Sequence, residues 1–192
     1  MKRSLLFSLL LSGLSLGVNA QEVQWASKVI DFSSELTPVQ YSAQQVLGKP
    51  NVLPAGGQNP NAWTPDKPKR KEFITVGFER PMNIRQVAIA ESHNPSAIFR
   101  VLVYDEAGRE YVVNTLNPKA VPLKGRMLNL FMEETPYKVA AVKVEFDGAA
   151  LPDYFSIDAI AISNVNYPII ADIPTPQLLA SGLVVEALDK NV

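Results

Sequence analysis

The sequence predicts an all-β fold of antiparallel strands in a sandwich or barrel, and three observations point to it. The runs EFITVGF (72–78) and KVAAVKVEF (138–146) place apolar side chains at every second position, which is the period of a half-buried strand. Further short apolar runs recur between clusters of Pro, Gly, Asn and Asp, at residues 84–91, 97–104, 110–116, 126–132 and 155–163. No long helical stripe separates these runs, so a sandwich or barrel is the favoured class.

The connections between the strands follow from turn chemistry. The segment SAQQVLG (42–48) predicts one helical turn ahead of the first long strand. The next residues, 49–69, are dense in Pro, Gly and Asn and predict a long loop, either ordered or mobile, in which Trp63 favours order. The clearest hairpin spans residues 104–110, because Gly108 can take the positive φ that such a turn needs.

Composition divides the chain into three parts. Residues 1–20 are typical of a secretory signal peptide, because two basic residues precede an apolar run and small residues stand at the cleavage positions. Residues 21–165 form the expected sandwich domain, and residues 166–192 form a C-terminal extension or linker. The second half of this extension is too apolar to lie in water, so we expect the same domain, a missing domain or a partner to cover it.

Charge and cysteine content exclude several classes of function. Lys and Arg number 18 and Asp and Glu 19, so the net charge of −1 gives no field that attracts nucleic acid or an anionic membrane. The sequence contains no cysteine, which excludes disulfides, thiolate metal sites and a cysteine nucleophile. We therefore expect no nucleic-acid partner and no direct insertion into a membrane.

Several motifs, in their order along the chain, resemble a known family. They are WASKVIDFSSE (25–35), YSAQQVLGKPN (41–51), NAWTP (61–65), EFITVGFERPMNIRQVAIAESHNP (72–95) and FSIDAIAIS (155–163). Their order is similar to that of galactose-binding-like, or discoidin-like, jelly-roll domains, and especially of the amino-terminal sandwich of OmpA-family cell-envelope proteins of Bacteroidota. The resemblance covers roughly residues 24–165. It implies a jelly-roll sandwich in the cell envelope, associated with outer-membrane machinery such as type IX secretion or gliding.

Catalysis finds little support in the sequence. His93 is the only histidine, and a serine hydrolase would need it as its base. Glu91, Ser92 and His93 are sequence neighbours, and on a strand Ser92 would point away from the other two. A zinc site is equally poor, because one histidine without cysteines leaves only carboxylates as further ligands. The sequence therefore predicts a protein that is not an enzyme and has no cofactor.

A structural calcium ion is the one metal that the sequence leaves open. Jelly-roll modules hold calcium by backbone carbonyls and one or two carboxylates, a pattern without a sequence motif. Asp31 and Asp158 are the candidate metal ligands, with Glu35 and Asp66 as further contributors. The alternative for Asp158 is a structural hydrogen bond or ion pair, since a carboxylate on an apolar strand needs a partner when it is buried.

Trp63 is the sequence-based candidate for ligand contact, because sugar-binding sandwiches stack pyranose rings on exposed aromatic side chains. We expect the other ligand-binding residues on the same loop face, namely Tyr41, Asn59, Asn61, Glu91, His93 and Asn94. The alternative for Trp63 is packing against the edge of the sandwich, and for His93 a solvated or capping role in a loop.

The sequence predicts an exported, non-catalytic binding module, periplasmic or associated with the outer membrane or the cell surface. The favoured role is protein–protein association in an outer-membrane assembly, as a subunit or plug of type IX secretion or gliding machinery. The alternative is a carbohydrate-binding module that recognises a cell-surface or dietary glycan.

Overall fold

A computed structural model describes residues 21–171, so the predicted signal peptide and the extension beyond residue 171 lie outside the described residues. Two single 3₁₀ turns, Ala43–Val46 and Gly148–Ala150, accompany nine strands. In chain order the strands are β1 Val23–Trp25, β2 Lys28–Phe32, β3 Lys71–Met82, β4 Gln86–His93, β5 Ile98–Asp105, β6 Glu110–Thr115, β7 Arg126–Phe131, β8 Val139–Asp147 and β9 Ser156–Ser163. Within residues 21–171, no helix has the length and apolar character to cross a bilayer.

The strands form two antiparallel sheets that face each other. One sheet has four strands in the order β1-β9-β4-β7, and the other has five in the order β2-β3-β8-β5-β6. Every strand pair is antiparallel. The all-β antiparallel sandwich predicted from the sequence is therefore confirmed, and β3 to β9 coincide with the seven predicted strands within a few residues.

The core lies between the two sheets and follows the alternation of the strands. Ile74 and Val76 of β3 face Ile160 and Ile162 of β9 in one continuous buried cluster. Trp63 belongs to this cluster, and the centroid of its ring lies 5.4 Å from the centroid of the Phe146 ring. Burial of apolar surface on this scale is the main source of stability in a chain without disulfides.

The outer face of the four-stranded sheet is covered by the chain itself. Its central positions are alanines, Ala88 and Ala90 on β4 and Ala159 and Ala161 on β9, and they pack in two small clusters. Residues 165–171, here called the strap, cross this alanine face. The strap follows β9 along the chain. All of it except residue 165 lies in the part that the sequence assigned to the C-terminal extension.

Side chains of the sheet hold the strap by hydrogen bonds to its backbone. The Asn129 amide accepts from Ile169 N at 2.9 Å and donates to Ile169 O at 3.1 Å. The Gln86 amide donates to Tyr167 O at 3.1 Å. Small alanine side chains allow this close approach, so the strap is part of the sandwich.

Candidate functional site

Three loops meet at the end of the sandwich where β4 ends and β9 begins, and they enclose an open pocket of about 450 Å³. They are the loop of residues 51–57, the β4–β5 loop and the β6–β7 loop. We call this cavity the loop pocket. Its lining residues are Gly56, Gly57, His93, Asn94, Val121, Pro122, Leu123 and Lys124.

Glu91 fixes two of these loops from below. Its side chain is only 1% exposed. One carboxylate oxygen accepts a hydrogen bond from Ser96 N in the β4–β5 loop at 2.6 Å, and the other accepts from Arg126 Nε at 2.6 Å, where the β6–β7 loop ends. Burial raises the pKa of Glu91, although the Arg126 charge and the Ser96 N–H lower it. Glu91 thus holds both walls in one arrangement.

The backbone of the β4–β5 loop is unusual. Asn94 and Ser96 have φ angles of 42° and 85°, which lie in the left-handed region that residues other than glycine seldom adopt. Such strained positions persist where surrounding contacts over-determine them, and they concentrate at binding sites. Here the bond from Ser96 N to Glu91 supplies one such contact, and the bond from Asn94 Nδ2 to Tyr154 O at 2.6 Å supplies another.

The β6–β7 loop packs directly on the backbone of β4. A Cβ on Gly125 would lie 2.9 Å from the carbonyl oxygens of both Glu91 and Ser92, and 2.8 Å from the Leu53 side chain. Two of these contacts are backbone atoms, so only glycine fits here. This close approach brings Leu123 and Lys124 to the mouth of the pocket.

Asp158 holds the third loop. It is the extra residue of a bulge in β9, because Ala159 and Ile157 pair with consecutive residues of β4. Its carboxylate is buried and accepts three backbone hydrogen bonds of 2.9 to 3.0 Å, from Asn51, Val52 and Leu53. Burial raises the pKa of Asp158 against the lowering effect of these three N–H groups. A buried carboxylate therefore supports each loop wall of the pocket.

The polar groups offered to a ligand are few and well placed. His93, Asn94 and Lys124 line the pocket, and Lys124 forms no ion pair among residues 21–171. Partial burial lowers the pKa of His93, with the Asp153 charge opposing this, so its imidazole is neutral at pH 7 and can both donate and accept. Pro122 and Leu123 add an apolar surface.

The loop face predicted from the sequence is only partly assembled. His93 and Asn94 line the loop pocket, and Glu91 supports it from beneath. Tyr41 and Asn61 are not among the lining residues: the backbone of Tyr41 bonds to Pro60 O and Thr64 N, and the Asn61 N–H bonds to Asn59 Oδ1 at 2.9 Å.

The expectation that Trp63 contacts a ligand is wrong, and the packing alternative is confirmed. Its side chain is 0% exposed, and its ring meets those of Phe146 and Phe155. The indole N–H donates to Ser34 O at 2.9 Å, which satisfies its one polar atom. No face of the ring is left for a sugar.

Asp31 and Asp158, the two candidate metal ligands, do not come together in one site. Asp31 lies exposed on β2 of the five-stranded sheet, and Asp158 lies on β9 of the other. The hydrogen-bond alternative for Asp158 is the one observed. Among residues 21–171, no group of three or more His, Asp or Glu side chains is placed to hold a metal ion. We therefore expect no calcium ion at Asp31 or Asp158, and the sequence leaves calcium binding elsewhere in the chain open.

Sequence reasoning missed most of the pocket. Gly56, Gly57 and Lys124 lie in segments that the sequence identifies only as loops. The available signals were the Gly-Gly pair, whose φ angles of 66° and 103° few other residues adopt, and the glycine that follows Lys124. Neither signal says which loops meet.

A family profile described as "Pappalysin-1, SD scarf domain, C-terminal" matches residues 17–170. Among curated proteins, F-box/LRR-repeat protein 4 of Bos taurus is 22% identical over 208 aligned residues, which cover 91% of this chain and 33% of that protein. The chain thus spans about a third of the length of this relative.

Solved structures share the fold at low sequence identity. XRCC1 bound to the catalytic domain of DNA polymerase β superposes with a TM-score of 0.56 at 15% identity, covering 73% of this chain and 97% of that one. Chitosan-binding module 1 of a Paenibacillus sp. IK-5 chitosanase/glucanase gives 0.51 at 11%, covering 74% and 93%. The Clostridium perfringens module CpGH89CBM32-5, in complex with GalNAc-β-1,3-galactose, gives 0.51 at 12%, covering 74% and 94%.

These structures confirm the discoidin-like, galactose-binding-like jelly roll predicted from the sequence. The Bacteroidota cell-envelope context stays a prediction.

Proposed function

Since this chain belongs to the family described as "Pappalysin-1, SD scarf domain, C-terminal", we propose that it is a non-catalytic binding module whose loop pocket binds a carbohydrate. The observation that carries this proposal is the loop pocket itself: an open cavity of about 450 Å³ whose three walls are fixed by buried side chains. A pocket formed before the ligand arrives loses less entropy on binding.

The chemistry of the lining suits a sugar. A volume of about 450 Å³ lies in the usual range for small-ligand sites. His93, Asn94 and Lys124 can exchange hydrogen bonds with hydroxyl groups, whereas Pro122 and Leu123 can contact the C–H face of a ring. The pocket offers no aromatic platform, so we expect affinity to depend on these hydrogen bonds.

The fold comparison supports the same direction. Two structures of the same jelly roll are a chitosan-binding module and a module crystallised with GalNAc-β-1,3-galactose. At 11% and 12% identity they support this proposal only through the fold, and the choice of sugar rests on the pocket.

A glycan array probed with the purified chain tests the proposal, followed by calorimetric titration of the best glycan. We expect His93→Ala and Lys124→Ala each to weaken binding at least tenfold without changing the melting temperature. Lys119→Ala is the matched control, because Lys119 lies in the same loop but does not line the pocket. If no glycan binds, or if both variants bind as well as the parent chain, the proposal fails.

Protein–protein association is the second candidate, because exposed apolar side chains gather on one face. Phe131, Tyr167 and Ile170, together with Val23, are four of the large exposed hydrophobic residues, and they lie on or beside the strap face of the four-stranded sheet. Contiguous apolar surface of this kind is typical of protein contacts.

The partner that we propose for this face is an outer-membrane protein assembly, with the chain exported as residues 1–20 predict. Affinity purification of the tagged chain from gently solubilised envelopes tests both the export and the association with an assembly. We expect a stoichiometric partner that Phe131→Ser and Ile170→Ser together release. Recovery of the chain alone, or from the cytoplasmic fraction, would count against this candidate.

A further inference from the structure

The outer face of the five-stranded sheet contains a groove that is separate from the loop pocket. Lys28, Gly77, Ala141 and Tyr104 stand side by side on four adjacent strands, as the pairing register shows. The Lys28 stem covers Gly77, so the open floor of the groove lies at Ala141, between the Lys28 and Tyr104 side chains. The resulting groove has a volume of about 420 Å³.

The two walls of the groove differ in chemistry. On one side stands the Tyr104 ring, next to the β5–β6 hairpin with Glu106. The Tyr104 hydroxyl donates to Glu110 at 2.6 Å, which fixes the orientation of the ring. On the other side stands Ile30, the extra residue of a bulge in β2, with about half of its side chain exposed. An aromatic and an aliphatic wall therefore face each other across a small-residue floor.

Gly77 allows a charged side chain to lie along the edge of that floor. A Cβ at this position would come within 2.5 Å of the Lys28 Cε atom, so the Lys28 stem occupies the space that a larger residue would take. The Lys28 ammonium forms no ion pair among the described residues. It is therefore free to donate hydrogen bonds to a ligand in the groove.

The remaining charges determine the class of ligand. Asp31 and Glu106 also line the groove without an ion pair in residues 21–171, whereas Lys143 is paired with Glu145 at 3.4 Å and Asp105 with Arg109 at 2.7 Å. Within the described residues, the unpaired charges of the groove are one positive, Lys28, and two negative, Asp31 and Glu106, so a polyanion would meet repulsion from the carboxylates and a polycation from the ammonium. Hydroxyl groups, by contrast, can bond to ammonium and carboxylate groups alike.

We propose that this groove is a second ligand site, which binds an uncharged oligosaccharide chain with one sugar ring stacked on Tyr104. A sheet face also lets a linear chain extend beyond the groove at both ends. The groove contains neither His93 nor Lys124, so ligand binding in the groove can be tested independently of ligand binding in the loop pocket.

The test is a titration of the ¹⁵N-labelled chain with four neutral hexasaccharides, of β-1,4-linked glucose, xylose, mannose and galactose, followed by NMR. We expect at least one of them to shift the amide signals of Thr75, Tyr104 and Ala141, which line the groove. Tyr104→Ala should weaken its binding at least tenfold, and Tyr104→Phe, which keeps the ring, should retain it. Ala141→Leu, which fills the floor, should also weaken it tenfold and provides a second reading should Tyr104→Ala fail to fold.

Val112→Ala is the matched control, because Val112 is 58% exposed on the outer face of the same sheet but outside the groove. It should leave the affinity unchanged. Three results would overturn the proposal: no shift with any hexasaccharide, shifts confined to the loop pocket, or unchanged affinity in both Tyr104→Ala and Ala141→Leu. Tighter binding of hexagalacturonate than of all four neutral probes would exclude an uncharged ligand.

Discussion

Glu91 shows how one buried carboxylate can determine the shape of a binding site. It accepts hydrogen bonds from a loop amide and from an arginine side chain, which together tie the β4–β5 loop to the start of β7. An ion pair of this kind gives weak net stabilisation as a whole, but removing one partner is costly because the other stays behind unpaired. The main effect of the Glu91 interactions here is to fix the positions of the two loops.

We expect Glu91→Ala to lower the free energy of unfolding by about 3 kcal/mol, because it leaves Ser96 N and Arg126 without their acceptor. Urea denaturation measures this loss. The matched control is Glu134→Ala, which breaks the exposed ion pair with Arg85 and should cost at most about 1 kcal/mol. Equal losses in the two variants would contradict the role assigned to Glu91.

His93 offers a second test at a single residue, because the chain has no other histidine and its ring signals need no assignment. Burial lowers the pKa of His93 below its ordinary value of 6.5. We expect an NMR pH titration to give a midpoint below 6.5, and Asp153→Asn to lower it further by removing the opposing charge.

The same shift fixes the sign of a stability effect. Since the folded state binds the proton less readily than the unfolded state, the contribution of His93 is complete above pH 6.5 and is lost as the pH falls through the folded pKa. A midpoint above 6.5 would show that the Asp153 charge outweighs burial and would reverse this sign.

At the scale of elements, the bulge in β9 supports a loop that has no regular structure of its own. The extra residue turns the Asp158 carboxylate towards three consecutive amides of the loop of residues 51–57. One side chain thus supplies the hydrogen bonds that a neighbouring strand would otherwise provide.

We expect Asp158→Ala to speed amide hydrogen exchange at Asn51, Val52 and Leu53 at least tenfold, because these N–H groups lose their acceptors. The free energy of unfolding should fall by about 2 to 4 kcal/mol. Asp147→Ala serves as the control: its carboxylate accepts one exposed amide at the start of a 3₁₀ turn, and its loss should cost about 1 kcal/mol. Unchanged hydrogen exchange at these three amides would show that Asp158 does not hold the loop.

The same bulge explains where sequence reasoning stopped. Strict alternation predicted β3 to β9, because apolar burial on one face leaves a period of two in the sequence. That rule placed Asp158 on the face of Ile160 and Ile162, and the bulge breaks it. No bounds were predicted for β1 and β2, because β1 has three residues and β2 carries a bulge at Ile30. A bulge leaves no local signature in composition.

The candidate site was less predictable than the fold for a similar reason. His93 and Asn94 could be named because they follow a predicted strand, but the loops that join them come from distant parts of the sequence. Trp63 was misjudged as a ligand contact because a tryptophan in a Pro- and Asn-rich segment has the same local sequence whether its ring is exposed or, as here, buried against Phe146.

At the scale of the whole molecule, the strap adds a third layer to a two-sheet sandwich. Ile169 is 7% exposed and packs on Ala88 and Ala161, whereas its neighbour Ile170 is 70% exposed. We expect Ile169→Ser to lower the free energy of unfolding by about 2 to 3 kcal/mol and Ile170→Ser to change it by less than about 0.5 kcal/mol. Thermal or urea denaturation of the two variants measures the difference. Equal stabilities would mean that the strap is not part of the folded unit.

Stabilisation of the whole molecule by a bound calcium ion can be tested by thermal denaturation. The Asp158 oxygens are already bonded to three amides, and Asp31 lies on the other sheet. We therefore expect the same melting temperature with about 5 mM calcium as with excess chelator. This calcium concentration exceeds the dissociation constants of weak extracellular sites, which are roughly 10⁻⁴ to 10⁻³ M. A higher melting temperature in calcium would identify a stabilising ion held elsewhere.

The pairing of β1 with β9 has a consequence for the order of events during synthesis. Glu22 N bonds to Asn164 Oδ1 across 142 residues, so the first and last strands of residues 21–171 lie side by side in one sheet. On a ribosome, β1 emerges before the other described strands, and nearly the whole domain is made before β9, the strand with which it pairs within residues 21–171. Because such distant contacts are slow to form, the four-stranded sheet should be completed only after β9 has left the ribosome.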